Sequence, residues 1–177
     1  RNGADTVLVE RYGHVGGLAT GGLVILIMPM SDENGKQHIA GLCQEMIERL
    51  DITGSCLHPS RNELGSDNPE ILNYWRSRAT GFFTRNDRVI LNALFDPEIF
   101  KCVLNDMVEE AGVRLLLHCW GSRCIVEQNK AVGVVFESKS GRQALLGKTI
   151  IDTSGDGDMF ASAGAEFDGT IDPNLRS

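Results

Sequence analysis

Thr6-Val7-Leu8-Val9-Glu10-Arg11-Tyr12-Gly13-His14-Val15-Gly16-Gly17-Leu18-Ala19-Thr20-Gly21-Gly22 is the stretch on which the fold turns. A run of four residues, three of them aliphatic, reads as a buried strand of a parallel sheet, closed by an acid at its carboxyl end. In open α/β sheets ligands bind outside the carboxyl ends of the strands, and a carboxylate there can accept hydrogen bonds from both ribose hydroxyls of an adenosine. The same carboxylate repels a 2'-phosphate. Glu10 is therefore a candidate ribose acceptor, against the alternative of a solvated strand-end acid. Gly16, Gly17, Gly21 and Gly22 bracket Leu18, Ala19 and Thr20, and such side-chain-free backbone lets a bulky ligand approach closely, with amides for phosphate and a Thr20 hydroxyl at hand. Plain turns would look the same. Arg11 either flanks the adenine or is a surface charge.

Working outward, Gly3 marks a helix end running into that first strand. Ile39, Leu42, Cys43, Met46, Ile47 and Leu50 have helical spacing, with Gly54 just beyond. Between 51 and 92 prolines and glycines break every period, which predicts loops, turns and one strand near 88–93. Asp96-Pro97-Glu98 is a helix start with Asp as N-cap and Pro at the first position, and Gly112 is its stop. Val113 to Leu117 is the next buried parallel strand, reached by a right-handed crossover. Arg123 to Glu127, Ala131 to Ser138 and Gln143 to Leu146, parted by short polar gaps, form a three-stranded antiparallel meander. Lys148 to Asp152 is expected to return as a parallel strand, followed by the turn Thr153 to Asp158. There Gly155 admits close approach, and Ser154 and Asp156 can bond hydroxyls; an Asx-rich turn or a weak cation loop is the alternative.

The whole predicts an α/β fold, a Rossmann-like FAD/NAD(P)-binding parallel sheet carrying a meander. The stretches from Gly3 to Thr20, Asp96 to Leu117 and Lys148 to Gly164 resemble the FAD-dependent oxidoreductases, distant relatives of the fumarate reductase flavoproteins. The resemblance implies FAD as cofactor, redox chemistry on the flavin, and Gly16 to Gly21 along the diphosphate and ribityl chain. It implies also that Gly121 offers its backbone amide to adenine. In such proteins a G-x-G-x-x-G turn lies about 20 residues before the strand-end acid. Here only residues 1–9 precede Glu10. Residues 1–177 are thus expected to be a partial, incomplete FAD-binding domain with an insertion at about 23–95 on the substrate side, poorly able to hold flavin alone and prone to self-association through exposed sheet edges. An NAD-dependent dehydrogenase domain and a non-catalytic nucleotide-binding module are the rival readings.

Composition narrows the partners. A net charge of −7 and pI near 5.1 argue against binding to nucleic acid and for a small-molecule substrate. The 5 cysteines form no C-x-x-C pair, so neither a disulfide framework nor a zinc site is expected, and a reducing cytoplasm fits. Leu23 to Met30 is too short for a membrane helix. His14 reads as an exposed turn residue, Cys119 and Cys124 as core, and no residue stands out as a catalytic acid or base.

Overall fold

The computed structural model describes residues 2–167. In chain order its elements are β1 (Val7–Val9), β2 (Leu26–Ile27), α1 (Leu42–Ile52), β3 (Cys56–Leu57), α2 (Pro69–Arg76), β4 (Thr84–Arg85), β5 (Arg88–Val89) and β6 (Ala93–Phe95). There follow α3 (Pro97–Glu110), β7 (Arg114–Leu116), β8 (Trp120–Glu127), β9 (Lys130–Ser138), β10 (Gly141–Leu146) and α4 (Asp158–Ser162). Within those residues the chain divides into two compact units, one of residues 2–4 with His14–Val113, the other of Asp5–Gly13 with residues 114–167.

The first unit is built on α1, α3 and the antiparallel sheet β2-β6-β3. Leu50, Phe95, Phe100, Val103 and Met107 form one core cluster and Met30, Ile47, Leu91 and Ala93 another. The start of α3 follows its sequence signal: Asp96 accepts the amides of Glu98 (2.8 Å) and Ile99 (3.2 Å), and Pro97 loses no helical bond by having no N–H. Gly112, at φ +67, ends it in the left-handed conformation that glycine adopts without strain. α1 starts later than its periodicity suggests. The amides of His38 and Ile39 bond to the Met30 carbonyl at 2.8 and 3.1 Å, so Ile39 is held against Met30 rather than in the helix. The segment around 51–92 also holds more order than loops: α2 is capped by Asn68, and its Leu72 and Trp75 pack with Phe83 and Val89. The strand expected near 88–93 is two, β5 and β6, parted where the Asn92 amide turns back onto the Ile90 carbonyl at 3.1 Å.

The second unit carries the parallel pair and the meander. β1 and β7 pair in parallel, Leu8 opposite Leu115, and the ladder runs on through Glu10 N–H to the Leu116 carbonyl (2.8 Å) and Cys119 N–H to the Glu10 carbonyl (2.9 Å). The meander has the order β10-β9-β8. Gln128 and Asn129, both at positive φ, form the two-residue turn that joins β8 to β9. The fold is thus mixed α/β with one small parallel sheet, of two strands rather than a wide one. The strand expected at Lys148 to Asp152 is not formed: no described strand edge pairs with it, and Ile151 is left 78% exposed. An apolar run becomes a strand only where a neighbour satisfies its amides and carbonyls.

Candidate functional site

The candidate residues fall into both units. In the second, Glu10 stands at the carboxyl end of β1, where the chain turns away from β7. Its Oε1 accepts the Tyr12 amide at 2.8 Å, which closes the turn; its other oxygen takes no bond from the described residues. Arg11 donates to the Tyr12 hydroxyl, and its guanidinium carbon lies over two rings, 4.7 Å from the centre of Tyr12 and 4.6 Å from that of Trp120. The Tyr12 bond first, and then the negative charges of Asp156 and Asp158, hold this guanidinium above even its ordinary high pKa despite some desolvation. The carboxyl end of β1, the start of β8 and the turn before α4 therefore share one neighbourhood.

That turn is organised from inside. Asp152 accepts the amides of Ser154 and Phe160, each at 2.9 Å, and Ser154 Oγ accepts those of Asp156, Gly157 and Asp158 at 3.4, 3.1 and 3.2 Å. Those amide bonds pull the Asp152 carboxyl below the usual range. Ser154 thus accepts from the start of α4 while its own hydroxyl bonds to the Asp152 carboxylate, and Gly155, at φ +85, has nothing within 4 Å of where a side chain would begin. Gly121 backs onto α4: a β-carbon there would sit 3.5 Å from Met159 Cε, an ordinary contact.

In the first unit Gly16 to Gly22 wraps a short 3-10 turn, Gly17–Ala19. Gly16 is at φ +111, and a β-carbon there would lie 2.5 Å from Thr20 Cγ2 and 2.9 Å from Leu104 Cδ1. Thr20 is fully buried; its hydroxyl donates to the Val15 carbonyl at 2.9 Å and meets His14 Nδ1 at 3.3 Å. Ala19 packs on the α3 core, whereas Leu18 is 72% exposed and Gly17, at φ +52, has open space on its side-chain side. Gly21 faces the His14 ring, whose Cε1 would be 2.9 Å from an added β-carbon. His14 is thus tied into the turn rather than loose in solvent. Cys119 and Cys124 are buried free thiols that point at the backbone carbonyls of Leu117 (3.3 Å) and Gly133 (3.4 Å). Tyr12, Trp120 and Asp158 carry no motif. They stand out only once the chain is folded, although a tryptophan at the first position of a strand after a ligand-edge turn is a usable signal.

Among the described residues no three His, Cys, Asp or Glu side chains cluster to hold a metal ion, and no helix is long and apolar enough to cross a membrane. The family model of the FAD dependent oxidoreductases matches residues 1–170. The chain belongs to that family. FAD is its cofactor. No curated protein matches the chain. Among solved structures, THI4 of Thermovibrio ammonificans is similar at 12% identity and a TM-score of 0.49, over 90% of this chain and 52% of that one. The glycerol-3-phosphate dehydrogenase of Bacillus halodurans, complexed with FAD, is similar at 14% identity and a TM-score of 0.41, over 83% of this chain and 28% of that one. The chain thus spans about half the length of the first and little more than a quarter of the second.

Proposed function

We propose that this FAD dependent oxidoreductase chain holds the adenosine and diphosphate part of FAD, on a Rossmann-like arrangement around β1 and β7, as a distant relative of the fumarate reductase flavoproteins. The observation that carries this is Glu10: a carboxylate at the carboxyl end of a parallel strand, with one oxygen tied to the Tyr12 amide and the other unbonded among the described residues. Such a fixed acceptor suits a pair of ribose hydroxyls. The glycine run supports the diphosphate and ribityl assignment through Gly17, where open space adjoins backbone at positive φ. Gly21 and the exposed Leu18 border that opening, while Thr20 serves by keeping the turn in shape. Gly121, Ser154, Gly155 and Asp156 complete the nucleotide side. The flavin, when bound, supplies the electron transfer, and the chain contributes binding and orientation. The reaction partner is a small molecule, in keeping with a net charge of −7. The outer edge of β1, without a strand partner among the described residues, is where self-association would occur.

Glu10→Gln tests the reading. Gln keeps an oxygen for the Tyr12 amide but loses the charge. Charge-assisted bonds contribute roughly 1.5 to 3 kcal/mol each, less when partly wet, so apoprotein titrated with FAD should bind about ten- to a hundredfold more weakly. The melting of the apo form should hardly move. Equal affinities would remove Glu10 from the site, and parallel losses of stability and affinity would make it structural.

A further inference from the structure

Trp120 and Trp75 are the chain's 2 tryptophans, and they are placed oppositely. Trp75 is buried in the first unit with its indole N–H on Glu63 at 3.1 Å, whereas Trp120 is 54% exposed. It follows directly on Cys119, whose amide bonds to the Glu10 carbonyl at 2.9 Å, so β8 begins next to the backbone that ends β1. The guanidinium of Arg11 lies over its ring at 4.6 Å. That guanidinium is in turn held by the Tyr12 hydroxyl and ring, and drawn by Asp156 and Asp158. Arg11 is thereby engaged within the protein, which argues against its reaching out to a ligand, while the indole keeps a large exposed aromatic surface.

We infer that Trp120 is the platform on which the purine base of an adenine nucleotide stacks, with Arg11 a positioning residue that pins the indole by a cation–π contact. The inference rests on the assignment of Glu10 to the ribose: the Glu10 backbone carbonyl accepts the amide of Cys119, the residue before Trp120, so strand-end acid and indole sit on adjoining backbone, as a nucleoside's sugar and base adjoin. Stacking uses the face of the base and requires no hydrogen-bonding atom on the indole, so an exposed tryptophan whose N–H has no partner among the described residues is suited to it.

ADP is the probe, since it carries the adenosine and diphosphate without the isoalloxazine. Titrating apoprotein with ADP should quench Trp120 emission, whereas ribose 5-phosphate should not; Trp75, being buried, gives a constant background. Trp120→Leu should remove the quench and weaken ADP and FAD about ten- to a hundredfold, in line with the loss of one stacked base. Trp120→Phe should recover most of the affinity without the signal. Apo melting of Trp120→Phe serves as the control for folding. If Trp120→Leu and Trp120→Phe bind ADP as wild type does while Glu10→Gln still weakens it, the platform is elsewhere and the ribose assignment stands. If ADP fails to bind, or neither position matters, both assignments fall.

Discussion

Gly16→Ala is a substitution whose cost can be worked from the structure in two parts. At φ +111 an L-residue lies in a sparsely populated region, which costs about 1 to 3 kcal/mol. The new methyl would also lie 2.5 and 2.7 Å from the two branches of Thr20 and 2.9 Å from Leu104. Thr20 is fully buried and bonded to the Val15 carbonyl, so it cannot simply rotate away, and Leu104 packs in the α3 core. Overpacking of that kind costs about 1 to 3 kcal/mol more. The sum, about 2 to 6 kcal/mol, corresponds to a fall in melting temperature of roughly 4 to 24 °C at about 2 to 4 °C per kcal/mol for a chain of this size. Gly17→Ala is the matched control: φ is +52 but nothing lies within 4 Å of the added carbon, so only the strain remains, about 1 to 2 kcal/mol. Thermal unfolding of both variants, followed by circular dichroism, ranks them. A Gly16→Ala protein melting within about 2 °C of wild type, or no lower than Gly17→Ala, would refute the claim that Gly16 is required by Thr20 and Leu104.

Gly17→Ala has a second use: with no protein atom near the added methyl, FAD affinity lost beyond the melting effect would come from crowding the ligand, and isothermal titration should show it. Asp152→Asn should cost about 1 kcal/mol at pH 7, as for a lost cap. Because the folded carboxyl is held below its ordinary value near 3.9, the contribution is present above that pH and fades as pH falls through the folded value, so the melts of wild type and variant should converge on acidification. The Cys56 thiol is pushed up to about 11 by burial, with a smaller push from Asp51, leaving about one thiolate in a thousand at pH 8. Iodoacetamide should accordingly label the exposed Cys102 well before Cys56, as read by peptide mass spectrometry. Asn68→Ala should destabilise by about 0.5 to 2 kcal/mol in urea melts, since Asn68 Oδ1 accepts the Glu70 amide at 2.9 Å.

Local chemistry made α3 and the meander legible, because Asp96-Pro97-Glu98 and the short polar gaps act through neighbouring backbone alone. Asn68-Pro69-Glu70 carries the same helix-start chemistry and does begin α2, but that helix has only eight residues, Pro69–Arg76, too short for periodicity to show. Lys148 to Asp152 errs in the other direction. Its apolar composition is a sound strand signal, yet a strand is a property of two segments, and nothing in these residues says which edge will be available to them.

The site divides along the same line. Glu10 is readable because its place follows from the end of an apolar run, and the chain cannot put that acid anywhere but at the strand edge. Thr20 and Trp120 are not, because their roles depend on direction rather than position. A threonine among glycines is equally able to face a ligand or to cap its own turn, and the choice is made by Gly16: its φ of +111 brings the backbone round so that Thr20 lies beneath it with its hydroxyl on the Val15 carbonyl. An apolar ring at the start of β8 would by default be assigned to the core. It stays outside because the Arg11 guanidinium, anchored on Tyr12, supplies a cationic partner at the surface that a buried position could not solvate. Replacing Arg11 by Leu should therefore leave β1 and β7 paired but release the indole, which time-resolved anisotropy of Trp120 would register as faster local motion; an unchanged anisotropy would mean that the ring is held by β8 alone.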